Sequence, residues 1–149
     1  GIESGPEQGC REALAGAQAM GRALNTLNET LSHQITEPFR MGMGIHSGMT
    51  IVGEMGYGEI MSLTAMGDTV NTASRLEDAT KEHACKLVVS HDVVLHAGID
   101  LSHFPSQKID VRGRTEPEGV RHCVLHPRNP QNRHRSHLLI RFVAREIAV

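Results

Sequence analysis

A chain of 149 residues is long enough for about one domain with an ordinary buried core, and its 39% of hydrophobic residues excludes a disordered polymer. The formal net charge of -2 hides an asymmetry: up to Leu125 there are ten Lys or Arg against sixteen Asp or Glu, and from His126 onward five Arg against one Glu. An acidic body with three Phe, one Tyr and no Trp has little to stack bases on, which argues against a nucleic-acid partner, and the core must be aliphatic and methionine-rich. No apolar run reaches the roughly 18 residues of a membrane span and no signal-peptide pattern opens the chain. Cys10, Cys85 and Cys123 are odd in number and lack CxxC spacing, which points to thiols kept reduced. The expectation is a soluble cytoplasmic domain.

In chain order, Gly1 to Gly5 is a polar lead-in and Pro6 suits a first helical turn. Cys10, Ala13, Leu14, Ala17, Met20, Leu24, Leu27 and Leu31 then recur at three- and four-residue steps, which predicts an amphipathic helix to about His33 that covers a sheet. Glu37-Pro38 ends the helical region and forces an extended entry into Phe39 to His46. There Phe39, Met41, Met43 and Ile45 alternate with Arg40, Gly42, Gly44 and His46, a strand whose glycine face is bare, as if a helix or another backbone packs closely on it. Thr50 to Gly53 reads as a short strand, Glu54 to Glu59 as a turn, and Ile60 to Met66 as the next strand. Gly67 allows a tight turn, Asp68 or Thr69 can cap, and a helix follows to about His83. Lys86 to Ser90 reads as a buried strand and Asp92 to Ala97 as a brief helix with Ser90 as candidate cap. Gln107 to Arg112 and Val120 to Leu125 read as strands around a turn, and Leu138 to Val149 is an apolar stretch within the basic tail.

On the helix after Gly67, Asn71 and Arg75 are four residues apart and project from one face, an amide followed one turn later by a guanidinium. A polar pair near the positive start of a helix suits an anionic sugar-phosphate ligand. Plainer readings are a solvated or capping Asn and an Arg in a surface ion pair with Asp78 or Glu82.

Gly44-Ile45-His46-Ser47-Gly48 together with Gly67-Asp68-Thr69-Val70-Asn71-Thr72-Ala73-Ser74-Arg75-Leu76-Glu77 resembles the carboxy-terminal half of a class III nucleotidyl cyclase catalytic domain of the bacterial adenylate cyclase type. The likeness runs from roughly Pro6 to Leu125, so residues 1–125 are expected to form a partial catalytic domain, with 126–149 a basic tail of unknown status. It implies an α+β fold, a ferredoxin-like α/β sandwich truncated at its amino-terminal end, that works as a dimer with ATP in the cleft between two domains. The implied reaction turns ATP into cyclic AMP and pyrophosphate, with Mg2+ or Mn2+ in the complete enzyme.

Carried over residue by residue, the resemblance puts Asn71 on the ribose, Arg75 on the charge that develops at the α-phosphate, Thr64 on the purine and Arg112 on the terminal phosphates. The plain alternatives are a β-branched strand residue at Thr64 and a strand-end Arg facing water at position 112, where the family often has Lys. Asp68 reads as a cap and His46 as a strand histidine satisfied locally. His83 with Cys85, and His122 with Cys123, lack zinc-ligand spacing. The strand and hairpin that bring the family's two metal-binding aspartates do not occur in this sequence, so no metal ligand is assigned. The chain is expected to carry a nucleotide-orienting half-site and, alone, to be inactive. It is also expected to self-associate as a homodimer or larger assembly, either through an open strand edge such as that of Phe39 to His46 or by docking the apolar segment Leu138 to Val149 over the uncovered aliphatic face. The rival reading is a non-catalytic, cyclase-like dimerisation or regulatory module.

Overall fold

The computed structural model describes residues 4–109, 121–124, 137–139 and 142–146. Its first helix, α1 (Gly5–Thr30), has Pro6 in the first turn, where a missing N–H costs nothing. The helix ends three residues sooner than its apolar periodicity predicts, at a cap on Leu31. Just before that end the Asn28 side chain accepts from the Phe39 N–H at 2.7 Å and donates to the Phe39 carbonyl at 2.9 Å, so it pins the helix to the entry of the next strand.

That strand, β1 (Arg40–Met49), is the centre of the molecule and runs three residues past its predicted end. Two short strands follow as an antiparallel pair, β2 (Ile51–Tyr57) and β3 (Ile60–Met66), in register from Ile51 opposite Met66 to Tyr57 opposite Ile60. The turn was expected over Glu54 to Glu59; only Gly58 and Glu59 turn, because residues 54–57 find ladder partners in 60–63. Gly58 supplies the positive φ of 62° that so tight a connection requires.

Then come α2 (Asp68–Glu82), β4 (Leu87–Ser90) and α3 (His91–Ala97). Ser90 stands at the cap position of α3 as predicted, yet makes no capping bond; its hydroxyl meets His46 instead, at 2.9 Å. Three-residue β5 (Ser106–Lys108), β6 (Arg121–Val124), β7 (His137–Leu139) and β8 (Phe142–Glu146) complete the described elements.

The main sheet has the order β5-β6-β4-β1-β7, with β8 also on β1. β1 pairs in parallel with β4 on one side and with β7 and β8 on the other, while β6 is antiparallel to both β4 and β5. The edge of β1 expected to be open to another chain is lined by β7 and β8, so the tail, expected to dock over an uncovered face, instead contributes two strands beside β1.

Alternation along β1 assigns its two faces. Met41, Met43 and Ile45 join Leu87 and Val89 of β4, with Cys10, Ala13, Ala17 and Leu24 of α1 and Val93 and Ala97 of α3, in the larger core. Gly42, Gly44 and Gly48 face α2 on the opposite side, where Leu76, Cys85 and Val88 form a smaller cluster. The result is an α+β sandwich with helices on both faces of the sheet. Each of the buried Leu, Ile, Val and Met side chains contributes about 1.5–3 kcal/mol relative to exposure, and the alanines less.

Candidate functional site

β3 ends at Met66, and Gly67 reverses the chain with φ 134°, a backbone angle that side-chain-bearing residues rarely adopt. Gly67 is the N-cap of α2, so neither Asp68 nor Thr69 caps as expected. The Gly67 carbonyl accepts from the Val70 N–H at 3.2 Å and, longer, from the Asn71 N–H at 3.4 Å. Asp68 is the first helical residue, where a carboxylate favours the positive helix end. The Thr69 hydroxyl turns inward and donates to the Met49 carbonyl at 2.5 Å, which ties the first turn of α2 to the end of β1.

From there α2 divides cleanly. Thr69, Thr72, Ala73, Leu76, Glu77, Ala79 and Thr80 are buried against the sheet, and Asn71, Arg75 and Asp78 are exposed. Asn71 and Arg75 therefore stand one turn apart on the outer face, at the end of the helix that follows the Gly67 turn. Asp78, a candidate ion-pair partner for Arg75, is engaged by Lys81 at 2.7 Å, and the same ammonium lies 3.8 Å from Glu77.

Thr64 sits on β3 two residues before its end, opposite Gly53, and is half-buried with its hydroxyl donating to the Ser62 carbonyl at 3.2 Å. By strand alternation it shares a hairpin face with Ile51, Met55, Tyr57, Ile60 and Met66. Thr64, Asn71 and Arg75 are thus carried by consecutive elements around one turn. Arg112 lies outside the described residues.

The first motif has a structural explanation that its residue types announced only partly. A Cβ at Gly44 would overlap the Ala73 carbonyl oxygen and the Glu77 amide nitrogen, one at Gly42 would overlap the Thr80 hydroxyl, and one at Gly48 would reach Thr69 Oγ1 at 3.0 Å. These glycines let α2 lie directly on the β1 backbone. The bare face predicted the close approach; the position of Thr69 beneath it had no signal in the sequence. His46, buried between them, places Nδ1 2.9 Å from Ser90 Oγ and 3.6 Å from Asp92 Oδ2, and Ser47 Oγ lies 3.0 Å from His96 Nδ1. The first bond fastens β1 to the β4–α3 junction and the second to the last turn of α3.

A profile described as the adenylate and guanylate cyclase catalytic domain matches residues 2–126. The chain belongs to that family. Among relatives of this cyclase domain, adenylate cyclase 1 of Rhizobium meliloti (strain 1021) is 35% identical over 109 residues, 73% of this chain and 16% of that protein. An adenylate cyclase of Anabaena cylindrica is 31% identical over 111 residues, 70% of this chain and 22% of that protein. A guanylate cyclase 2D of Rattus norvegicus is 37% identical over 92 residues, 62% of this chain and 8% of that protein. The cyclase domain thus spans less than a quarter of the length of these relatives. Among solved structures, a bacterial light-regulated adenylyl cyclase superposes with a TM-score of 0.55 at 20% identity, over 83% of this chain and 36% of that one, which is a likeness of fold.

Among the described residues no group of three or more His, Cys, Asp and Glu side chains is arranged to hold a metal ion, and no helix is long and apolar enough to cross a membrane. The divalent ions implied by the family do not fit the described side chains, so no chemical step is assigned to a metal on them.

Proposed function

We propose that this cyclase domain supplies the nucleotide-orienting half of an adenylate cyclase site. The observation that carries the reading is the pairing of Asn71 and Arg75 on the exposed face of α2, directly after the Gly67 turn, within a chain of this family. Asn71 holds the ribose by its amide. The ribose 3′-oxygen forms a bond to the α-phosphorus while the bond from that phosphorus to the bridging oxygen of pyrophosphate breaks, and the 3′-hydroxyl proton is lost to solvent or a base. Arg75 stabilises the negative charge that grows on the α-phosphoryl oxygens, because charge stabilisation and positioning carry most of the barrier in phosphoryl chemistry. Thr64 pairs with the adenine amino group, and Arg112 takes the terminal phosphates. Mg2+ or Mn2+ supplies Lewis-acid chemistry in the complete enzyme, on residues other than those described.

The site is shared between two domains, and the β2–β3 hairpin supports that assembly: its apolar side chains stand in water in the single chain, with Tyr57 95% and Ile60 80% exposed. The same hairpin is what a non-catalytic dimerisation module would present, and turnover separates the two readings. The purified 149-residue chain, given ATP with magnesium or manganese, is expected to make no cyclic AMP, since the sequence carries no strand-and-hairpin aspartate pair. The complete enzyme is expected to make it and to lose it on Asn71→Ala or Arg75→Ala. Turnover by the chain alone would overturn the half-site, and an enzyme indifferent to both substitutions would leave the dimerisation module as the better reading.

A further inference from the structure

We infer that Gly44 is a positioning residue for the nucleotide half-site, setting how far Asn71 and Arg75 stand from the sheet by bringing the β1 backbone against the turn of α2 that carries Arg75. This deepens the proposed function and rests on Asn71 and Arg75 being nucleotide contacts. A Cβ built on Gly44 falls closer than 3.0 Å to both the Ala73 carbonyl oxygen and the Glu77 amide nitrogen. Those are the two atoms that a regular α-helix joins through its i to i+4 hydrogen bond, and Arg75 is the midpoint of the turn they close.

Gly42 and Gly48 differ in kind. The atoms an added methyl would meet first are side-chain oxygens, Thr80 Oγ1 and Thr69 Oγ1, and side chains can be trimmed or rotated. Backbone atoms cannot, so a methyl at position 44 has two outlets: the Ala73–Glu77 bond opens, or the helix moves outward. The ends of α2 are held, at the start by the bond from Thr69 Oγ1 to the Met49 carbonyl and at the finish by the short connection from Glu82 into β4 at Leu87. The displacement therefore concentrates between the tethers, on residues 71–77. The whole exposed pair shifts with it, although neither side chain touches position 44.

The test uses the full 149-residue chain, isotope-labelled, with a fluorescent ATP analogue as probe, and compares Gly44→Ala, the double variant Gly42→Ala/Thr80→Ala, and Asn71→Ala. Gly44→Ala is expected to keep its helical spectrum and a cooperative melt while its amide shifts change mainly across residues 69–80. Its dissociation constant for the analogue, measured far below the melt, should rise roughly tenfold, the ground-state share of the about hundredfold that a misplacement of about 1 Å costs a reaction. The double variant adds the same methyl one strand repeat away but removes the hydroxyl it would strike, leaving only the end of the Glu77 side chain at 3.0 Å. It is expected to show shifts changed only beside positions 42 and 80 and wild-type affinity. A purely structural role would lower the melting temperature and leave the affinity of the folded chain alone. Wild-type α2 shifts in Gly44→Ala, or displaced shifts with wild-type affinity, overturn the inference.

Should Gly44→Ala fail to fold, Gly48→Ala decides in its place. Turning Thr69 Oγ1 aside loosens its bond to the Met49 carbonyl, which predicts shifts confined to residues 69–71 and affinity about two- to threefold weaker. Displaced shifts with wild-type affinity overturn the inference that seating of α2 on β1 sets nucleotide affinity. If wild type and Asn71→Ala bind the analogue alike or not at all, the nucleotide reading itself has failed, and the amide shifts still decide whether Gly44 seats the helix.

Discussion

Arg75 is the residue on which the proposed chemistry turns. It is exposed on α2 while Leu76 and Glu77, its immediate successors, are buried, so its guanidinium is presented outward by a helix that cannot roll without exposing its own core. A contact that strengthens as charge develops affects turnover more than binding. In the complete enzyme Arg75→Ala should lower kcat by roughly a hundredfold or more, the about 3–4 kcal/mol of one preorganised charge donor, with little change in KM. A change confined to KM would mean that Arg75 only holds ATP. Thr64→Ala, by contrast, should raise KM for ATP several-fold and narrow the preference for ATP over GTP, measured side by side, since a single hydroxyl contact to the base is worth about 0.5–1.5 kcal/mol. Arg75 stands out in the sequence because it belongs to an eleven-residue motif, whereas Thr64 lies three residues ahead of that motif and is singled out only by its distance from Asn71. The Thr69 anchor and the His46–Ser90 bond were not, because each joins side chains or carbonyls far apart in sequence, and no spacing rule anticipates which polar residue will meet which.

Among the elements, α2 shows most plainly what periodicity can and cannot settle. The glycine before it announced a helix, and the alternation of β1 a bare strand face for a helix or another backbone; the structure lays α2 on that face. What periodicity missed was hydrogen bonding at the ends, as in the hairpin ladder that continues to Tyr57 and in the exit of α2. There the Ala84 N–H donates to the Lys81 carbonyl at 3.4 Å and the Cys85 N–H to the Thr80 carbonyl at 3.0 Å, the paired bonds of a Schellman ending. That motif wants glycine at its left-handed position, yet this one holds Ala84 at φ 48°. The left-handed backbone costs an L-residue about 1–2 kcal/mol, and glycine gives back about 0.4–1 kcal/mol through its freer unfolded chain. Ala84→Gly should therefore stabilise the domain by about 0.5–1 kcal/mol, a rise in melting temperature of about 2–4 °C at most. A lower melting temperature would show that the Ala84 methyl makes packing contacts worth more than the backbone relief.

For the whole molecule the sequence leads to an expectation of self-association and leaves open which surface would carry it. Loss of neighbours along β1 pointed to its edge, but β7 and β8 lie there in parallel register, from Arg40 opposite His137 to Met49 opposite Glu146. Among the described residues the exposed large apolar side chains concentrate on the β2–β3 hairpin, where Ile51, Tyr57, Ile60 and Leu63 are all more than 60% exposed and Met49, Met55, Met61 and Met66 flank them. Methionine and aromatic side chains suit a recognition surface, and a hairpin that projects with so much apolar area is unfavourable in an isolated monomer. Thr64 shares the hairpin face of Tyr57 and Ile60, so docking on that face would bring the partner beside the proposed base contact. Burying one such side chain contributes about 1.5–3 kcal/mol, so Tyr57→Glu with Ile60→Lys should weaken self-association by more than about a hundredfold. Sedimentation across a dilution series reads this directly. Removal of residues 126–149 distinguishes the edge from the hairpin, since a chain that associates through the hairpin keeps its dimer constant when the tail strands are gone. Association that survives both charged substitutions and disappears with the tail would place the contact on the β7–β8 side and leave the hairpin without an interface role.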